Sequence, residues 1–204
     1  DSNFKFLVGN HTSRLMQIAN RDKDSKSYPE YERTLDQLND FDPEELRKFI
    51  RDQEEMVYFK FNKSCFCVSH AGISCLPSLK LNSDEYIKGH GDYNQSEEVD
   101  LCFDKQVFDT FGTKEFVFQV HGHRNIHNSD IRVNDSCFNL EGGVEYGGDL
   151  RILQINKNGV YPHKIKNDVF RVKTTNEDVV NELKSSPLIR RSQNPNGISS
   201  YNFT

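Results

Sequence analysis

Three short apolar runs in this chain each stop at a histidine beside small residues. Phe4 to Val8 runs into Gly9-Asn10-His11, Cys65 to Val68 into Ser69-His70-Ala71-Gly72, and Phe116 to Val120 into His121-Gly122-His123. Runs this short and apolar read as buried strands breaking into loops. Layered α/β folds bind ligands where strands end and loops begin. Imidazole and amide oxygen together suit a borderline divalent metal such as Mn, Zn, Fe or Ni. A Gly or Ala beside each of these residues lets backbone and substrate approach closely. Each member alone also reads as an ordinary hydrogen-bonded turn or loop entry. The ordered trio, each after a strand of similar length, favours one shared metal site.

The intervening pattern fills in an α/β domain. Leu15, Ile18 and Ala19 have helical spacing, a charged loop spans Arg21 to Lys26, and Leu35 with Leu38 marks a second helix. Asp42-Pro43-Glu44-Glu45 is a helix start, with Asp42 as cap, Pro43 at the first helical position and Glu45 completing a capping box. Met56 to Phe61 and Cys65 to Val68 form two strands joined by a turn at Asn62-Lys63-Ser64. Pro77 to Asp104 is polar and irregular, which predicts a long surface loop with a short strand at Tyr86-Ile87, followed by a short helix over Lys105 to Phe111. Cys137 to Leu140, Leu150 to Ile155 and Val160 to Lys164 are expected to be antiparallel strands, with turns at Gly142-Gly143 and Gly147-Gly148. Thr175 to Leu183 reads as a last helix ended by Pro187, and Arg190 to Thr204 as polar linker.

Hydrophobic residues make up 35 % of the chain, so a modest core with well-solvated loops is expected. The net charge of −5 shows no whole-chain attraction toward nucleic acid. Cys65, Cys67, Cys75, Cys102 and Cys137 form no CxxC pair, which points to buried thiols in a reducing, cytoplasmic setting. No apolar run approaches the ~18 residues of a membrane helix, so neither a signal peptide nor a membrane partner is expected. The chain opens on Asp1 and enters a strand almost at once, which leads us to expect a domain whose N-terminal part is missing.

Gly9-Asn10-His11, Ser69-His70-Ala71-Gly72 and Gly122-His123 resemble the third, fourth and fifth motifs of the calcineurin-like phosphoesterase superfamily. Asn139-Leu140-Glu141-Gly142-Gly143 and Tyr146-Gly147-Gly148-Asp149-Leu150-Arg151 are similar to the closing strands of the phosphatase module of bacterial polynucleotide kinase–phosphatase. Thr34-Leu35, Glu44 to Ile50 and Ile87-Lys88-Gly89-His90-Gly91 also resemble that module, so the likeness runs from Phe4 to Lys164. It implies a metallophosphoesterase-type β-sandwich flanked by helices over residues 1–172. Residues 173–204 would be a helix and linker, and Ile198 to Thr204 resembles the entry to an RNA-ligase domain.

Carried over, the resemblance makes Asn10, His70 and His123 ligands of the second of two divalent ions, Mn first among the candidates. His11 would contact the phosphate and protonate the leaving alkoxide. His121 stands two residues before His123, where a strand would point both to one face, and it is expected to support the site without ligating. Arg14, His90 and Arg124 are weaker candidates for phosphate contact, with surface solvation the alternative for each. The family's first two motifs, which supply Asp and His to the first ion and the bridging Asp, are not found in this sequence. They are expected in a covalently linked upstream segment, as a ligase-like domain would be downstream. The implied activity is metal-dependent phosphomonoester hydrolysis, with RNA or DNA ends as substrates. The alternatives are a protein Ser/Thr phosphatase, a dinucleotide polyphosphate hydrolase, or a non-catalytic module that binds metal or a partner.

Overall fold

The computed structural model describes residues 4–20, 38, 40–78, 81–90, 97–124 and 130–167. The expected charged loop from Arg21 to Lys26, the helix at Leu35, the helix at Thr175 and the polar tail lie outside those residues. The described part is mixed α/β, built on a four-stranded mixed sheet in the order β1-β2-β3-β4. β1 (Met56–Phe61) and β2 (Ser64–Ser69) form an antiparallel hairpin, with Asn62 in the left-handed region at the turn. β3 (Val117–His121) runs parallel to β2, and β4 (Cys137–Asn139) parallel to β3. The parallel pairing of β4 corrects the expected antiparallel arrangement. Of the three strands expected to be antiparallel, the last two, β5 (Leu150–Asn156) and β6 (Gly159–Ile165), do pair that way, as a separate two-stranded sheet.

Strand alternation divides the sheet into two apolar faces. Phe66, Phe118, Val120 and Phe138 face one side with Ile131, and Leu153, Ile155 and Val160 of the β5–β6 hairpin pack onto them. Cys67 and Cys137 face the other side, against Ile73 and against Phe103 and Val107 of a long helix. Burying a side chain the size of Phe66 or Phe103 contributes about 1.5–3 kcal/mol. The layers are therefore hairpin, sheet and helix. A smaller cluster of Ala19, Leu46 and Ile50 joins α1 (Asn10–Ala19) to α2 (Pro43–Arg51).

Asp42 caps α2 by accepting from the Glu44 N–H at 3.0 Å, and Pro43 opens it as expected. No Glu45 box contact accompanies it; Glu44 instead pairs with Arg47 and Arg51. The first expected strand is reduced to one parallel bridge, Leu7 to Glu54. The polar stretch expected as loop contains two helices, α3 (Ser83–Lys88) and α4 (Glu97–Phe111). Asn82 caps α3 and Gly89 ends it in the left-handed conformation, so Tyr86-Ile87 is helical. On α4, Val99, Phe103 and Val107 recur every four residues and are all 0 % exposed. That spacing packs a full helix against the sheet, so the helix begins before Lys105. Among the described residues no helix is long and apolar enough to cross a membrane.

Candidate metal centre

The candidate site gathers where β2 and β3 end. Parallel strands present their carboxyl ends to the same edge, so His70, after Ser69, and His123, after His121 and Gly122, reach one place. The Gly122 N–H donates to the His70 carbonyl at 2.9 Å, tying the two loops together. The two imidazoles lie with ring centroids 4.8 Å apart and planes tilted by 43°. Asn10 arrives from the other side: the Leu7–Glu54 bridge positions the chain before it, with Val8 N–H donating to the Glu54 carbonyl at 2.9 Å. His70 Nε2 then lies 3.0 Å from Asn10 Oδ1. Asn10 and His11 form the first turn of α1 and not the loop expected from Gly9-Asn10-His11. Helix geometry thus fixes where both side chains start.

Small residues make room for the rings. A Cβ on Gly9 would sit 3.0 Å from His70 Cε1, and one on Gly89 would sit 2.7 Å from His123 Cδ2. His123 itself has φ of 63°, a conformation that costs a non-glycine residue about 1–2 kcal/mol. Its N–H donates to Glu141 Oε2 at 3.1 Å, and Glu141 Oε1 accepts from the Gly143 N–H at 2.7 Å. Glu141 is therefore the brace that holds this turn. The neighbouring Asn139 supports it by accepting from the Glu141 N–H at 2.8 Å and donating to the Arg124 carbonyl.

Electrostatics keeps the two rings neutral. Burial pulls His70 down to about 4, and the nearby His123, His11 and His121 add to the effect. Burial also lowers His123, with the Arg124 guanidinium second in effect. A neutral imidazole is the form with a lone pair to give.

The other expected residues separate. His121 does not share a face with His123, because Gly122 ends the strand and the left-handed turn at His123 swings its ring away. His121 is buried beside Gly72, with Nε2 3.0 Å from Asp100 Oδ1. Arg124 is not solvated at the surface: it is 6 % exposed and its Nε donates to the Ala71 carbonyl. It anchors the loop that carries His70. His90 is exposed just past the Gly89 cap of α3, its N–H donating to the Asp84 carbonyl. Arg14 belongs to α1, but its side chain lies outside the described atoms. His11 is exposed, next to Asn10, and near enough for its charge to act on both His70 and His123.

One amide oxygen and two neutral imidazoles, converging from three segments and cleared by two glycines, fit a borderline divalent ion. Among the described residues no group of three or more His, Cys, Asp and Glu is arranged to hold a metal ion. Within these residues the site therefore depends on the Asn10 amide as its third donor. Asp100, Glu141 and Gly89 were not singled out as site residues from the sequence. No protein-family model matches the chain, and no match was found among curated proteins.

Proposed function

We propose that the chain carries the Asn-His-His half of a binuclear metallophosphoesterase centre and serves metal-dependent hydrolysis of phosphomonoesters. The observation that carries this is the convergence of Asn10, His70 and His123, with His70 Nε2 3.0 Å from Asn10 Oδ1 and 4.8 Å between the imidazole centroids. These are the three positions the motif resemblance assigns to one ion. A divalent ion held there, Mn or else Ni, Fe or Zn, supplies Lewis-acid polarisation of a phosphate oxygen and an acidified water.

The chain's own residues do the rest. Asn10 offers an uncharged oxygen, and His70 and His123 offer lone pairs that burial keeps free of protons. The N-terminal turn of α1 favours the anionic substrate through the helix dipole. His11, exposed on that same turn, would on this reading meet the leaving-group oxygen and donate a proton as it departs. Arg124 orders the Ala71 loop through its Nε. The aspartates of a second ion site come, on this reading, from polypeptide outside these residues. Nucleic-acid ends are the favoured substrates, through the likeness to an end-processing phosphatase module.

The test is Mn²⁺-dependent phosphate release from p-nitrophenyl phosphate and from 3′-phosphorylated RNA. It compares this chain, a version extended upstream of Asp1, and the extended version with His70→Ala. Activity confined to the extended protein and lost with His70→Ala is expected. No hydrolysis of either substrate by either form would leave only a metal- or partner-binding module.

A further inference from the structure

Beneath the His70–His123 pair lies a buried polar network that the proposed chemistry does not use. Asp100, on α4, and His121, on β3, have side chains that are both 0 % exposed. Asp100 Oδ1 receives two contacts, His121 Nε2 at 3.0 Å and the Gln119 amide at 2.8 Å. Gln119 Oε1 in turn accepts the Ile73 N–H at 3.0 Å. Asp100 Oδ2 is buried with no hydrogen-bond partner.

A carboxylate sunk this deep with one oxygen unanswered is a poor stabiliser. Its desolvation is only partly offset, and a core in which such a whole buried polar network is replaced by packed apolar side chains is often as stable or more so. The network's outer ends suggest what it does instead. Ile73 follows the His70-Ala71-Gly72 turn, and the His121 ring lies against Gly72, where a Cβ would meet it at 3.0 Å. His121 Nδ1 contacts the Gly122 carbonyl at 3.0 Å, one residue before His123. Asp100 thus reaches the loops carrying both histidines without touching either ring.

We infer that Asp100 is a positioning residue: through His121 and Gln119 it fixes the β2 and β3 loops so that His70 and His123 face one another. This rests on the proposed metal-binding role of that pair. Asp100 and Asp104 both lie on the buried, inner side of α4. Outer-shell groups of this kind commonly change metal affinity about 10–100-fold when removed.

Asp100→Leu and Asp100→Asn test the role, each read for melting temperature, for the His70–His123 ring contact by NMR without metal, and for Mn²⁺ affinity by calorimetry. Asp100→Leu leaves His121 Nε2 and the Gln119 amide without their buried acceptor, so it is expected to lower the melting temperature, to weaken the ring contact and to lower Mn²⁺ affinity about 10–100-fold. Asp100→Asn, which keeps an acceptor for His121, should recover part of these losses. If Asp100→Leu does not fold, Asp100→Asn alone is decisive, through a shifted ring contact in a folded protein. An unchanged ring contact and unchanged affinity in every folded variant would overturn the inference while leaving the metal site intact. A wild-type chain that binds no Mn²⁺ but whose ring contact responds to Asp100 would sink the metal reading and keep the positioning role.

Discussion

His70 Nε2 and Asn10 Oδ1 meet at 3.0 Å across a sequence separation of 60 residues. One group ends a strand and the other opens a helix, and each is held by backbone bonds that do not involve the other. Asn10→Ala should therefore barely affect stability, within about 1 kcal/mol, since Asn10 is half-buried and its net hydrogen-bond contribution is of that order. Mn²⁺ affinity should fall at least about tenfold, the low end for disturbing a metal site. Calorimetric titration beside a melting curve separates the two effects.

Gly89 and Gly112 offer a matched pair. Both have positive φ, 71° and 68°, but a Cβ on Gly89 would press on His123 at 2.7 Å whereas one on Gly112 meets nothing within 4 Å. Each Ala substitution should cost about 1–2 kcal/mol for the left-handed backbone. Gly89→Ala alone should also shift the His123 ring resonances. Equal shifts from Gly112→Ala would mean that the close contact at Gly89 does not position the ring.

The hairpin, the α2 start and the apolar runs leading to His70 and His123 were legible because each is local. Asp42-Pro43 carries its own capping chemistry, and Met56 to Val68 shows two strands around a polar turn. The first half of helix α4, before Lys105, was not legible, because Asp100 and Asp104 interrupt its apolar face and their burial depends on Gln119 of β3 and on Lys114, farther along the chain. The separation of His121 from His123 depends on one backbone torsion at His123, which residue types do not encode. Arg124 read as a solvated cation because its acceptor, the Ala71 carbonyl, lies 53 residues earlier.

Helix α4 can be tested residue by residue. Phe103 is 0 % exposed and Leu101, on the same helix, is 61 % exposed. Phe103→Ala should destabilise by about 3–5 kcal/mol, and Leu101→Ala by no more than about 0.5 kcal/mol. Denaturant titration distinguishes these; similar small losses would restore a surface loop.

Cysteine chemistry gives a pH prediction. Burial pushes the Cys67 thiol up to about 12, while Cys65 on the same strand is exposed. The unfolded thiol ionises near its ordinary value of 9.0. Cys67 therefore contributes stability that is complete below pH 9 and is lost as pH rises toward 12. At pH 8 iodoacetamide should label Cys65 and Cys102 while sparing Cys67 and Cys137. A Cys67→Ala variant should show a shallower loss of melting temperature above pH 9.

The most direct test of the account is pulsed electron paramagnetic resonance of Mn²⁺ added to the chain. Nitrogen couplings from two imidazoles are predicted, with one lost in His70→Ala and one in His123→Ala, and both kept in His90→Ala. Bound Mn²⁺ whose nitrogen couplings survive both single substitutions would contradict the Asn10–His70–His123 site.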